Sequence, residues 1–335
     1  MTKLVAALTL AAMAAVFPAP GVPAATVPAP HDGTPSIAQS FEAFWEAAHD
    51  KPFPEQQALW NRFIEGPREA LYRSVVWEIR DNPDWRRLKE RTLRDRFDAY
   101  PRIGGDIPGE SGAIQTAIRV QAARFDKYFG ASWRPHAIVV LAPNFDAKSG
   151  VLPGGRPILA LAVDSLILEK ANLDILLPHE FFHLWDAQRS GIKNDGVMPG
   201  THLTLPLFAE GLATYVSTVV SPGYTDGQYL LQDDLGALPD SSLPTTAKRF
   251  LTDAGGMTID PAQHRTSKAF RRWFQAGSTQ FQADLPNRAG YWLGLHVIRV
   301  LRRSYSLHEI AAWTPLQAQT ETRAALHEIA GSTSR

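Results

Sequence analysis

The chain has 335 residues, of which 44% are hydrophobic, so it is long enough for one large core or for two closely packed lobes. Its 34 basic and 34 acidic residues balance to a net charge of zero, which gives no electrostatic reason to expect a nucleic-acid or membrane partner. Because the chain contains no cysteine, disulfides and thiolate metal sites are excluded, and histidine and carboxylate side chains remain as the plausible metal ligands.

The first 25 residues have the pattern of a secretory signal peptide. Lys3 supplies a positive charge, and the apolar run from Leu4 to Phe17 is too short to span a bilayer comfortably. An uncleaved membrane anchor is the alternative. We therefore expect a secreted or periplasmic protein with no stable membrane insertion after the signal is removed. Residues 26–35, which are rich in proline and alanine, are predicted to form a linker.

Helical spacing dominates residues 36–130. Apolar side chains recur at intervals of three and four, and prolines or glycines separate the predicted helices. The helix from Asp84 to about Tyr100 carries arginine and lysine interleaved with acidic residues, which is typical of a solvated helix face. This part of the chain is predicted to be a helical N-terminal region without recognisable chemistry.

Two apolar runs predict a small sheet within residues 136–165. The strands are expected at 136–142 and 157–163, and the intervening segment, rich in glycine, proline and polar residues, is predicted to be an exposed loop. The second strand can lie at a sheet edge, where its free N–H and C=O groups would bind an extended peptide, or inside the core. The sequence leaves both possibilities open.

The helix predicted at about residues 175–190 carries two histidines on one face. His179 and His183 are four residues apart, so both imidazoles can reach one metal ion, and Glu180 is placed to take a proton rather than to bind the ion. Pro178 either opens this helix or kinks its first turns. Asp186 either accepts a hydrogen bond from a ligand imidazole or a nearby arginine, or is a solvated residue of the last turn.

A second helix is predicted at about residues 206–219, and it carries the third candidate ligand. Glu210 lies in an apolar run, where a carboxylate is costly to bury unless it is paired or binds a metal. Catalytic zinc takes three protein ligands and keeps one open position. His179, His183 and Glu210 are therefore predicted to hold one Zn²⁺ ion.

Loops and short helical pieces are expected at residues 221–283, and longer helices return at 284–335. Tyr291 lies near the start of one of these helices, between Gly290 and Gly294, which permit close approach to another helix. Tyr291 suits the role of hydrogen-bond donor to a developing oxyanion, and it fits the apolar stripe of its helix equally well. The competing candidates for this donor are Tyr215, Tyr224, Tyr229 and His296.

The run His179-Glu180-Phe181-Phe182-His183, with Glu210-Gly211-Leu212-Ala213-Thr214-Tyr215 after it, resembles the gluzincin metallopeptidases, in which an HExxH motif precedes a helix with a ligand glutamate. The first run is also similar to that of the glycyl aminopeptidases, and the small size resembles bacterial predicted zinc-dependent proteases. The resemblance implies an α+β, mostly α fold. A zincin-like catalytic domain at 131–335, with a small β-sheet, a zinc helix and a C-terminal helical lobe, would follow the helical N-terminal region.

The resemblance also implies a zinc-dependent peptidase that acts on a peptide or protein substrate. Glu180 would be the general base toward zinc-activated water, and Tyr291 would be a second catalytic residue. Endopeptidase and exopeptidase activity both remain open. The alternative is a catalytically inactive or non-peptidase zinc-binding module with a binding or cell-envelope role. Glu180 beside both histidines favours the enzyme, because binding alone needs no general base.

Overall fold

A computed structural model of the protein describes most of the chain after the predicted leader. The described residues are 34–79, 83–130, 136–190, 192, 196–198, 200–255, 258, 267–277 and 279–331. The predicted signal peptide and nearly all of the predicted linker lie outside them. The described residues fall into two compact units, one up to Leu173 and one from Asp174 onward. None of the described helices is both long and apolar enough to cross a membrane.

The first unit begins with the helices predicted for residues 36–130. These are α1 (Ile37–Ala48), α2 (Phe53–Trp60), α3 (Glu69–Leu71), α4 (Trp85–Ile103) and α5 (Ile107–Phe129), with π-helical turns at Asn61–Glu65 and Tyr72–Val76. Ser36 caps α1, because its hydroxyl accepts a hydrogen bond from the Gln39 N–H and the Gln39 side chain accepts one from the Ser36 N–H. Aromatic side chains from three of these helices fill the core, with Phe44 packed edge-on against Trp60 at 5.5 Å.

A three-stranded mixed sheet follows, so the α+β, mostly α fold class is confirmed. The strands are β1 (Ala137–Val140), β2 (Ala147–Val151) and β3 (Pro157–Ala162), and they lie in the order β1-β3-β2. β3 pairs parallel with β1 and antiparallel with β2. It is therefore the central strand, so the core alternative is correct for it and the sheet-edge alternative is wrong.

β2 corrects the prediction of an exposed loop between the two strands. Its residues are mostly buried although they include Lys148, Ser149 and Gly150, which carry no apolar pattern. The Lys148 ammonium is held by the Glu78 carboxylate at 3.0 Å. A side chain at Gly150 would meet the Val75 methyl groups at 2.8 Å, so the missing side chain lets the strand pack closely. These pairings join residues far apart in the chain.

Buried polar contacts tie the sheet to the N-terminal helices. After β3 the chain enters α6 (Val163–Glu169), where Asp164 accepts hydrogen bonds from the Tyr100 hydroxyl at 3.1 Å and the Ala142 N–H at 3.0 Å. The Arg96 guanidinium lies 3.4 Å from the same carboxylate. The sheet therefore belongs to the same compact unit as α1–α5, whereas the sequence analysis placed a domain boundary near residue 130.

The second unit is helical in its described part. It contains α7 (Leu173–Arg189), α8 (Thr204–Val220), α9 (Asp226–Tyr229), α10 (Asp233–Gly236), α11 (Leu243–Ala254), α12 (Lys268–Phe274), α13 (Ala289–Leu301), α14 (Leu307–Ala311) and α15 (Pro315–Ile329). The helices predicted at 175–190 and 206–219 correspond to α7 and α8. Because α7 already begins at Leu173, Pro178 lies inside the helix and does not open it.

The helices α8 and α13 cross with their backbones in contact. A Cβ atom at Gly211 would lie 2.4 Å from the carbonyl carbon of Gly294, and one at Gly294 would lie 2.6 Å from the carbonyl oxygen of Leu207. Only glycine permits so close an approach at this crossing. The predicted close packing at Gly294 is confirmed. Gly290 is equally restricted, because a Cβ there would lie 2.7 Å from the carbonyl oxygen of Trp273 in α12.

Candidate metal centre

Two helices bring three ligand-type atoms to one point in the interior of the second unit. His179 Nε2 lies 3.0 Å from His183 Nε2, and Glu210 Oε2 lies 3.3 Å and 3.4 Å from these two nitrogens. The two histidines come from successive turns of α7, and Glu210 comes from α8. All three side chains are buried. Among the described residues, His179, His183 and Glu210 are the group of histidine and carboxylate side chains whose ligand atoms lie close enough together to hold one metal ion.

The size of this triangle fits a tetrahedral metal ion. With metal–ligand distances of roughly 2.0–2.2 Å, two ligand atoms of a tetrahedral zinc ion stand about 3.3–3.6 Å apart. The two distances from Glu210 match this range, and the 3.0 Å between the histidine nitrogens is slightly shorter. Glu210 Oε2 is buried and accepts no hydrogen bond from the described residues, although it faces two ring nitrogens. A cation bound between the three atoms would satisfy this buried carboxylate oxygen. The residues therefore fit a divalent metal ion.

The charges of Glu210 and His179 agree with metal binding, whereas the Glu210 carboxylate raises the pKa of His183 against the effect of burial. Burial opposes ionisation of Glu210, but the adjacent His183 and His179 outweigh it and hold the pKa of the carboxyl group at about 2. Burial lowers the pKa of His179 to about 4, in spite of Glu210. At neutral pH Glu210 is thus a carboxylate and His179 is a neutral imidazole, the two forms that bind a metal ion.

Glu180 lies beside the ligand group, which is the set of His179, His183 and Glu210, but is not part of it. It follows His179 directly on α7, and its carboxyl group is buried. Neighbouring positions of a helix do not share a face, so Glu180 points away from the line of the two histidines. Burial has the largest effect on the pKa of His183 and of Tyr291, and the negative charge of Glu180 acts on both groups in the direction that raises the pKa. This is the placement expected of a proton acceptor rather than a ligand.

Tyr291, at the start of α13, lies against the same group. Its ring centre is 6.3 Å from that of His179, and the two planes differ by 15°. Burial raises the pKa of the Tyr291 hydroxyl well above its ordinary value, and nearby Glu210 adds to the effect, so the group keeps its proton. A protonated phenol at this place can donate a hydrogen bond.

The four competing donors have other partners. Tyr215 accepts a hydrogen bond from Arg302 at 3.4 Å, Tyr224 donates to Asp174 at 3.1 Å, and Tyr229 donates to the carbonyl oxygen of Ser221 at 2.8 Å. His296 lies 4.0 Å from Asp240. Of the five candidates, Tyr291 is the one whose ring contacts a side chain of the ligand group.

Asp186 is buried, so the interpretation as a solvated residue is wrong. Burial raises the pKa of its carboxyl group to about 7, while Ser190 and the charge of His183 act in the opposite direction. Asp186 therefore lies close enough to His183 to influence it electrostatically, as an outer partner of a ligand imidazole does.

Sequence reasoning missed Arg288, which lies three residues before Tyr291. The carbon of its guanidinium group stands 4.1 Å from the centre of the Tyr291 ring, and the side chain is buried. Its charge lowers the pKa of His179. In the sequence, Arg288 is an arginine directly before an apolar helix and three positions before the proposed donor Tyr291. A spacing of three brings two side chains together only when both residues lie on one helical turn, which the sequence alone did not establish here.

No model of a known protein family, no curated protein and no solved structure matches this chain. We therefore interpret the site from its own residues and distances.

Proposed function

We propose that the protein is a secreted or periplasmic zinc-dependent peptidase. The observation that carries the proposal is the convergence of His179, His183 and Glu210 within 3.0–3.4 Å, with a buried carboxylate next to them. Two imidazoles and one carboxylate are a ligand set that catalytic zinc uses. The gluzincin-like arrangement of these residues along the chain supports a zincin-like catalytic part and a peptide or protein substrate. The leader pattern supports secretion.

The chemistry that bound zinc supplies is activation of a water molecule and polarisation of the carbonyl group to be cleaved. The side chains of the protein would transfer or donate the protons that this hydrolysis requires. Glu180 takes a proton on its carboxylate from the attacking water and delivers it to the leaving amine. Tyr291 keeps its hydroxyl proton and donates a hydrogen bond to the carbonyl oxygen as negative charge develops there. Burial of both residues keeps bulk water from competing for these protons.

Hydrolysis of casein by the purified protein, with and without a chelator, tests the proposal. We expect hydrolysis that a chelator abolishes and added zinc restores. A protein that holds zinc but cleaves neither casein nor a peptide library would contradict the peptidase function and support the non-catalytic zinc-binding module.

Removal of a proposed ligand should remove the metal. We expect about one zinc per chain in the parent protein, and loss of most of it in His179→Ala and Glu210→Ala, because each variant leaves two of three protein ligands. Elemental analysis of the dialysed proteins measures this. His308→Ala, at an exposed position of α14, is the control and should keep its zinc. Full zinc occupancy in Glu210→Ala would mean that another residue is the third ligand.

Loss of the Tyr291 hydroxyl should slow the reaction without loosening the fold. We expect Tyr291→Phe to lower kcat by about ten- to a thousandfold with little change in KM, since the hydrogen bond forms as the oxyanion develops. Zinc content and Tm should stay at the parent values. The matched control is Tyr224→Phe, whose hydroxyl bonds to Asp174 instead. A Tyr291→Phe protein as active as the parent would reduce Tyr291 to a packing residue.

A further inference from the structure

Arg288 is a buried cation without a carboxylate partner among the described residues. Its side chain is only 5% exposed, its Nε atom is buried without a hydrogen bond, and it forms no ion pair within the part of the chain that the structure describes. Its contact is with Tyr291: the guanidinium carbon lies 4.1 Å from the ring centre, and the guanidinium also interacts with the hydroxyl through a side-chain hydrogen bond. Because a buried charge is costly unless it is paired, a guanidinium in this position implies a partner that the chain itself does not supply.

The backbone at Arg288 is held in an unfavourable conformation. Its φ is 62° and its ψ is 20°, in the left-handed region that suits glycine and asparagine better than arginine. It directly precedes α13, a 13-residue helix whose N-terminal end carries partial positive charge.

The charges around the site leave room for one anion. The charged side chains that influence Tyr291 are Glu210, Arg288 and Glu180. With a divalent ion on the ligand group, Glu210 and Glu180 would balance the ion. Asp186 acts on His183 and is not among the charges that act on Tyr291, so Arg288 would lack a counter-charge beside Tyr291. Binding of a carboxylate at Arg288 would neutralise it, and the planar guanidinium matches a carboxylate with two parallel hydrogen bonds.

We propose that Arg288 binds a carboxylate group of the substrate and thereby directs cleavage to peptide bonds near that group. The carboxylate is either the free C-terminus of a peptide or an acidic side chain. This inference rests on the proposed peptidase function and specifies its substrate class.

The distances limit how far the carboxylate can lie from the cleaved bond. Arg288 is 4.1 Å from the Tyr291 ring centre, which in turn is 6.3 Å from that of the ligand His179. An extended chain advances by about 3.3–3.6 Å per residue. This path of about 10 Å corresponds to about three extended residues, so we expect the carboxylate to lie about three residues from the reacting bond. For a C-terminal carboxylate, the products would be single amino acids or very short peptides released from that end.

Two libraries of N-acetylated hexapeptides test the proposal, one with free C-termini and one with amidated C-termini. Mass spectrometry gives the rate and position of each cleavage, and equilibrium dialysis against Glu180→Gln gives binding without turnover. The variants are Arg288→Gln and Arg288→Lys. Arg303→Gln is the matched control, because Arg303 lies just after α13 and pairs with Glu328 at the surface. Thermal melts establish that each variant is folded.

If the C-terminus is the ligand, the parent protein should cleave the free library within three residues of the end and should bind it more tightly than the amidated library. Arg288→Gln should reduce this preference about 10- to 150-fold, the factor that corresponds to losing a hydrogen bond to a charged group. Arg288→Lys should retain part of the preference, and Arg303→Gln should retain all of it. If an acidic side chain is the ligand, the preference should instead follow Asp and Glu within the amidated library.

Equal cleavage of both libraries without preference for Asp or Glu would overturn the role of Arg288 and leave the peptidase function intact. Absence of cleavage in both libraries would count against a peptidase that cleaves inside a chain or from its C-terminus, and the dialysis measurement would then decide the carboxylate binding separately. A binding preference that is the same in Glu180→Gln and in the double variant Glu180→Gln/Arg288→Gln would overturn the proposal in that case as well.

Discussion

Glu180→Gln should leave zinc in the site while peptide hydrolysis falls by roughly two to four orders of magnitude. Glutamine has the shape of glutamate but cannot hold the proton that must pass from water to the leaving amine. The ligand atoms of His179, His183 and Glu210 are unaffected, since Glu180 is not one of the three groups that converge. The measurement is zinc content together with kcat/KM on a cleavable peptide.

Two further variants make this result specific. Glu110→Gln removes an exposed carboxylate from the first turn of α5 and should change neither quantity. Glu180→Asp keeps the carboxylate but shortens its reach, so it should retain more activity than Glu180→Gln. Turnover in Glu180→Gln equal to that of the parent would remove Glu180 as the general base.

Gly294→Ala should be a strongly destabilising methyl addition in the second unit. The new Cβ would lie 2.6 Å from the carbonyl oxygen of Leu207 and 2.9 Å from the Cα atom of Gly211. Both are backbone atoms, so no side chain can turn aside and the two helices must separate. We expect a loss of about 1–3 kcal/mol or more in the free energy of unfolding. Because α8 carries Glu210 and α13 carries Tyr291, zinc affinity should fall with stability.

The control for this prediction is Gly112→Ala in α5. A Cβ atom at Gly112 would meet nothing within 4 Å, so the substitution should stabilise its helix by about 0.5–1 kcal/mol through the higher helix propensity of alanine. Urea unfolding of the two variants measures the contrast. Gly294→Ala as stable as the parent would show that the helices are farther apart in solution than in the structure.

The parts of the site that were predictable from the sequence are those encoded at short range. The spacing of four between His179 and His183 places both on one face of any α-helix, and a carboxylate at Glu210 within an apolar run is conspicuous. The three side chains meet only because of how α7 and α8 pack. Their meeting could nevertheless be expected, because catalytic zinc needs three protein ligands and the two histidines supply only two. The metal group was therefore predictable before the fold was known.

The missed features depend on contacts between distant residues. β2 has no apolar alternation, and its burial follows from pairing with β3 and from the ion pair of Lys148 with Glu78. Arg288 is one of many arginines in the sequence, and its burial against Tyr291 follows from the turn that enters α13. The central position of β3 likewise follows from β2, which the sequence did not predict. Contacts between residues that are distant in the chain leave no local pattern in the sequence.

The backbone contact between α8 and α13 has a thermodynamic consequence for the metal group. Two helices that touch at Gly211 and Gly294 cannot slide or rotate without breaking that contact, so the position of Glu210 relative to Tyr291 is set when the chain folds. A metal ion or a substrate then meets side chains that are already ordered, and little conformational entropy is lost on binding. Preorganisation by these two glycines would therefore contribute to the affinity of the site for the proposed metal ion and substrate.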